Sequence, residues 1–222
     1  MQLDVTRIRA AIFDMDGLML DTEPIYRQAW LSAAADMGYH LEDDFYSSFV
    51  GRSNADCDRL MQDRFGDDLP VAKLRSRRDY FWRKTIRAGG IPLRPGLLDL
   101  LDWLEARDIP KAIATASDRE DAEFSLSATD IVPRFHSVTA GNEVPNNKPA
   151  PDIYLAAAHK LGVTPEHCIA FEDSNAGALA STSAGIPTIL VPDLQVPTSE
   201  TLSRVFVALA SLHEARNILD GK

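Results

Sequence analysis

From Pro95 onward short apolar runs alternate with helical periodicity, and this alternation constrains the fold more than any other feature of the chain. A helix over 96–107 leads into a strand over 111–116 and a helical stretch from Asp118. There follow a strand near 137–140, a helix over 150–161, a strand over 168–171, a helix over 175–184, and strands over 187–191 and 205–208. Repeating βα units of this length predict a parallel sheet wound on both faces, since parallel strands need crossover helices and are then buried and apolar throughout. The run Ala10-Ala11-Ile12-Phe13 is one more such strand. Between it and the others, the pattern is helical only, over 24–37, 42–49, 54–65 and 71–88, with breaks at Gly38, Gly51, Gly66 and Gly89-Gly90. The fold class is therefore α/β: a doubly wound, Rossmann-like core formed by 1–20 and 94–222, with an all-helical domain over 21–93 inserted after the first strand.

With 222 residues the chain has ample sequence for a core. Its 23 basic residues against 33 acidic ones, a net charge of -10, argue against nucleic-acid and membrane-surface partners, which call for a basic face. An anionic ligand would need local positive charge or a bound cation. Cys57 and Cys168 stand apart from any framework, as reduced thiols of a cytoplasmic protein do. Charges at Arg7, Arg9 and Asp14 leave the first apolar run too short for a signal peptide or a membrane helix. The five histidines show no ligand spacing.

Strand ends carry the polar groups. After the first strand comes Asp14-Met15-Asp16-Gly17. Open α/β sheets bind ligands at the carboxyl ends of their strands, and residues at i and i+2 share a side, so Asp14 and Asp16 can converge as nucleophile and acid/base. The same tetrapeptide also suits a turn capped by Asp side chains. The strand at 111 ends in Thr115-Ala116-Ser117, two hydroxyls at the sheet's mouth or a helix cap supplied by Ser117 or Asp118. Lys148 precedes a helix start, where the dipole disfavours a cation, so it is either on an errand or a solvated lysine. Glu172-Asp173 follows the strand over 168–171 and suits a hard cation such as Mg²⁺, or else a capped helix start.

Taken in order, Phe13-Asp14-Met15-Asp16-Gly17-Leu18-Met19-Leu20-Asp21-Thr22-Glu23, Ala114-Thr115-Ala116-Ser117, Lys148-Pro149-Ala150-Pro151-Asp152 and Phe171-Glu172-Asp173-Ser174-Asn175-Ala176-Gly177 resemble the haloacid-dehalogenase-like phosphohydrolases with a helical cap. Sugar-phosphate phosphatases and β-phosphoglucomutases are the similar branches. The resemblance implies that Asp14 attacks phosphorus and becomes an aspartyl phosphate, that Asp16 protonates the leaving oxygen and then activates water, and that Thr115 and Lys148 hold the transferring group. It implies Mg²⁺ bound by Asp14, Asp173 and the backbone carbonyl of Asp16, with Glu172 either a further ligand or a partner behind the ligands, and backbone N–H groups of 15–17 and Ala116 completing the cradle. Substrate choice would lie in the helical lid, hinged at 20–23 and 91–96. Candidate substrate contacts are Ser117, Tyr26, Arg52 and Asn54, Trp30 as a core or pocket residue, and the run Arg75, Arg77, Arg78, Arg83, Lys84, with Arg77 and Arg78 foremost.

Within that family Asp16 speaks against carbon–halogen chemistry, whose enzymes lack the second Asp. Tyr26 and Asn54 stand where β-phosphoglucomutases carry histidine and arginine. The expected activity is thus a Mg²⁺-dependent phosphatase acting on a small phosphorylated metabolite, with a phosphomutase as the alternative. Signalling receiver domains share an acid pair, Thr/Ser and Lys, but their motif order differs and they lack a lid. A monomer is expected, with a dimer as the other possibility.

Overall fold

The computed structural model describes residues 5–49 and 54–220. Among them, six strands form one wholly parallel sheet: β1 (Ala10–Phe13), β2 (Lys111–Ala114), β3 (Ser137–Thr139), β4 (Cys168–Glu172), β5 (Thr188–Leu190) and β6 (Val207–Ala208). Their spatial order is β3-β2-β1-β4-β5-β6, the doubly wound order with β1 central. The first helix of the chain is α1 (Glu23–Asp36), followed by α2 (Asp43–Ser47), α3 (Asn54–Phe65), α4 (Val71–Gly89) and α5 (Leu97–Glu105). Next come α6 (Arg119–Ser127), α7 (Asp152–Leu161), α8 (Asn175–Ser183), α9 (Ser199–Arg204) and α10 (Leu212–Leu219). The chain divides into two compact units, one holding the residues up to Asp21 and from Pro92 onward, the other Thr22–Ile91.

In the sheet unit, small side chains decide how closely helices approach. Ala10, Ile12, Ala112, Ala114, Cys168 and Ala170 present one face of the sheet, and Ile153, Tyr154, Ala157 and Ala158 of α7 close over it. Phe13 points to the opposite face, where it stacks on Phe171 at 4.6 Å and meets Phe135 edge-on at 5.7 Å. Helices α5 and α10 pack together and bury Leu97, Leu100, Leu101 and Leu104 with Leu212, Ala215 and Leu219. The sequence pattern did not call for α9 or α10 because both lie among the polar residues that flank the short last strand. The strand expected over 111–116 ends at Ala114: the N–H of Thr115 still bonds Thr139 O at 3.0 Å, but its side chain then turns the chain by accepting the N–H of Ser117.

Among the described residues of the unit Thr22–Ile91, helices are the only regular elements. Pro24 opens α1, and Trp30, Ala33, Ala34, Leu41, Tyr46, Phe49, Met61 and Leu74 form its apolar cluster. Among the described residues no helix is long and apolar enough to cross a membrane.

Candidate active site

Because the chain leaves β1 toward β2 on one side and later fills β4 on the other, the carboxyl ends of β1 and β4 flank a topological switch point. The register pairs Phe13 with both Ile113 and Phe171, so Asp14 and Glu172, one step further, end beside each other. Strand alternation turns Glu172 to the face that carries Cys168 and Ala170, under α7.

Lys148, from the segment before α7, reaches into this crevice. Its Nζ lies 2.5 Å from Asp14 Oδ1 and 2.5 Å from Glu172 Oε1, and its side chain is 4 % exposed. A cation near a helix start is thus explained by two carboxylates that outweigh the dipole. Glu172 is fully buried, and both of its oxygens are engaged. Oε1 also accepts the hydroxyl of Tyr154 at 2.6 Å. Oε2 accepts the N–H groups of Asp173 at 3.1 Å and Ser174 at 3.2 Å and the Ser174 hydroxyl at 3.1 Å. Such a carboxylate is locked in place. The Ser174 hydroxyl in turn accepts the N–H of Gly177 at 3.1 Å, so Ser174, not an acid, caps α8.

Asp14, Glu172 and Asp173 each bring an oxygen within 4.8 Å of the others. Burial raises the Asp14 pKa to about 8, with the charges of Glu172 and Asp16 adding to the effect and Lys148 opposing it. Burial likewise holds Asp173 well above the usual carboxylate range, helped by Asp14 and Glu172. Burial pulls Lys148 down, but Asp14 and Glu172 together outweigh it and hold the ammonium above its ordinary value. Three carboxylates face one ammonium in a largely buried crevice, a set of hard oxygen donors short of positive charge. Their chemistry fits a small divalent cation.

Asp16 is not one of those three acids, though its charge acts on Asp14. Its Oδ2 accepts the Ser117 hydroxyl at 2.9 Å, and the Ser117 N–H donates to Thr115 Oγ1 at 3.1 Å. Ser117 thus orients Asp16, and neither it nor Asp118 caps α6: Asp118 makes no side-chain cap bond, and the N–H of Arg119 is taken by Asn142 Oδ1 at 3.0 Å. The N–H of Gly17, expected in a phosphate cradle, donates instead to Leu20 O at 2.9 Å, closing the loop after β1 on itself. Gly17 itself has φ +84°, and a Cβ there would collide with the carboxylate of Asp173.

In the helical unit Tyr26 stacks on Trp82 at 5.2 Å. The Arg78 guanidinium lies 5.1 Å from the Trp30 ring and 5.8 Å from that of Tyr26, and pairs with Asp79 at 2.6 Å. Arg77 is joined to Asp36 at 2.7 Å and Arg75 to Asp58 at 2.8 Å, while Trp30 belongs to the apolar cluster. Arg52 lies outside the described residues, as does the side chain of Asn54. Tyr154 and Asp193 escaped the sequence reading, and Ser174 stood in a motif with no role assigned to it. Asp193 had a signal, since it follows the strand over 187–191 as the other acids follow theirs. Tyr154 had none, being one apolar-facing residue in a helix.

The family model for haloacid dehalogenase-like hydrolases matches residues 8–185. Hexitol phosphatase B of Escherichia coli (strain K12) is 32 % identical over 218 residues, covering 94 % of this chain and 94 % of its own length. The phosphorylated carbohydrates phosphatase of Thermotoga maritima is 31 % identical over 82 % of this chain and 84 % of its own length. CbbY from Rhodobacter sphaeroides, solved in complex with phosphate, superposes with a TM-score of 0.78 at 28 % identity, covering 96 % of this chain and 99 % of that one. A family match of that extent, on a sheet that sets its acids and lysine at the switch point, makes this chain a member of the haloacid dehalogenase-like hydrolases.

Proposed function

We propose that this protein is a Mg²⁺-dependent phosphatase that hydrolyses a small phosphorylated metabolite, a sugar phosphate or related phosphomonoester, through an aspartyl phosphate on Asp14. The observation that carries this reading is Lys148 held between Asp14 and Glu172, beside Asp173, at the mouth of the sheet. Phosphatases among its relatives support the same class of reaction.

An oxygen of Asp14 attacks phosphorus while the bond from phosphorus to the leaving oxygen breaks, and Asp16 gives that oxygen a proton. Asp16 then takes a proton from water, which attacks the phosphoryl group; the Asp14–phosphorus bond breaks and inorganic phosphate leaves. Ser117 keeps Asp16 turned to this task by donating to its Oδ2. Lys148 places a fixed positive charge against the phosphoryl oxygens, and the Thr115 hydroxyl offers a further hydrogen bond. Asp14 and Asp173, with Glu172 adjacent, would hold Mg²⁺, which when bound would supply positive charge against the carboxylate and phosphate oxygens. Glu172, with both oxygens engaged, serves to orient Lys148. Substrate choice falls to the helical unit, with Tyr26 and Arg78 as the side chains to test first. Two buried free cysteines agree with a cytoplasmic setting.

The test is phosphate release by the purified protein with Mg²⁺ from hexose, pentose, polyol and nucleotide monophosphates. Release from at least one group, lost in Asp14→Asn, is the expected result. No release from any group, or equal release by the variant, overturns the reading.

A further inference from the structure

We propose that Asp193, in the loop after β5, is a fourth carboxylate of the cation site, acting through water as a positioning residue rather than as a direct ligand, with Arg94 fixing its orientation. The inference rests on the proposed Mg²⁺ site and adds a residue to it.

Asp193 is not one of the three acids whose oxygens share a single ligand cluster. Its Oδ2 nevertheless faces the same point above Gly17 that the Asp173 carboxylate faces, 3.2 Å from where a Cβ of residue 17 would stand. The absence of that Cβ lets both carboxylates approach one point above Gly17. Asp193 Oδ1 pairs with Arg94 Nη1 at 3.0 Å, and its side chain is only 13 % exposed. Arg94 is itself anchored: its N–H donates to Met19 O at 2.8 Å, and Nη1 also lies 3.4 Å from Asp21 Oδ1. The pair therefore presents one carboxylate oxygen to the site and keeps the other on the guanidinium.

The loop carrying Asp193 is tied to the turn carrying Asp173. Asn175 sits two residues after Asp173, and its Nδ2 donates to Gln195 Oε1 and to Val196 O, both at 3.2 Å. Its Oδ1 accepts the N–H of Thr198 at 2.9 Å and the hydroxyl of Thr201 at 2.7 Å. One amide side chain thus fixes the distance between two acidic segments. Bringing a further carboxylate up to Asp14, Glu172 and Asp173 is unfavourable without positive charge between them, and Arg94 occupies only the outer oxygen of Asp193. A cation held by Asp14 and Asp173 would supply that charge, and Asp193 Oδ2 would then accept a hydrogen bond from its water.

The experiment is a calorimetric titration of Mg²⁺ alone into substrate-free protein, for the wild type, Asp193→Asn, Asp193→Glu, Asp21→Asn and Asp173→Asn. Asp193→Asn is expected to raise the dissociation constant about tenfold, the size typical of groups that act on a metal through another ligand. Asp193→Glu should recover part of that loss. Asp21→Asn, which removes the same charge from the other side of Arg94, should stay within about twofold of wild type. At saturating Mg²⁺ the kcat of Asp193→Asn should return to that of wild type. An unchanged constant in Asp193→Asn, or an equal loss in Asp21→Asn, overturns the role of Asp193. Wild-type affinity in Asp173→Asn overturns the metal site itself, and with it this inference.

Discussion

At the scale of single residues, the proposed chemistry turns on how Asp14 is charged. Without a divalent cation, burial keeps its proton bound up to about pH 8, against 3.8 for an ordinary Asp. A folded-state pKa raised in this way contributes stability that is complete below the unfolded value and is lost as pH rises through the folded one. Metal-free protein should therefore lose thermal stability between about pH 4 and about pH 8, and Mg²⁺, by favouring the ionised form, should restore it. The increase in Tm on adding Mg²⁺ is expected to be larger at about pH 8.5 than at about pH 6. An increase that is equal at both, measured by differential scanning fluorimetry, would contradict that assignment of Asp14. The Asp14→Asn variant should lose turnover on the order of 10⁴-fold or more while melting cooperatively, because an amide matches the carboxylate in shape but cannot attack phosphorus. Single-turnover assays with equal amounts of folded protein decide it.

At the scale of elements, the turn from β4 into α8 shows what Ser174, Asn175 and Gly177 do in the motif Glu172-Asp173-Ser174-Asn175-Ala176-Gly177. Ser174 caps α8 and donates to Glu172, Asn175 holds the loop after β5, and Gly177 leaves room for the Glu172 carboxylate, which any Cβ at 177 would strike. Gly177→Ala should destabilise the protein by about 1–3 kcal/mol, the cost of overpacking a dense site, and raise the Mg²⁺ concentration needed for half-maximal rate. Urea unfolding followed by circular dichroism checks the first effect, and a Mg²⁺ titration of the rate checks the second. Tyr154→Phe removes a hydroxyl that donates to buried Glu172 and should cost about 1.5–3 kcal/mol. The residue order of this motif was legible beforehand as a resemblance. The reasons were not, because Tyr154 meets Glu172, and Gln195 meets Asn175, only after the sheet has formed.

At the scale of the whole molecule, the net charge of -10 means that the proposed reaction needs positive charge supplied locally, at the crevice that holds Lys148. The phosphatase and phosphomutase readings separate at this scale, since a mutase must protect its aspartyl phosphate from water until the intermediate rebinds. With Tyr26 packed flat on Trp82, the chain is expected to release phosphate to water. Incubated with β-glucose 1-phosphate and catalytic glucose 1,6-bisphosphate, it should yield inorganic phosphate with no accumulation of glucose 6-phosphate. Glucose 6-phosphate forming faster than phosphate, followed by enzymatic assay of both products, would establish the mutase instead.

Alternation of apolar runs with helical periodicity was enough, by itself, to determine a parallel α/β sheet, a helical insertion and the strand ends at which Asp14, Thr115 and Glu172 lie. These properties are local, set by side-chain periods of 2 and 3.6 residues and by the rule that such sheets bind ligands at their carboxyl ends. The tertiary structure alone decided that Lys148 pairs with Asp14 and Glu172, that Ser117 serves Asp16, and that Arg94 and Asn175 bring Asp193 to the site. Those pairings join residues far apart in the chain, and their energies come from burial and low local dielectric, which exist only once the β strands are side by side.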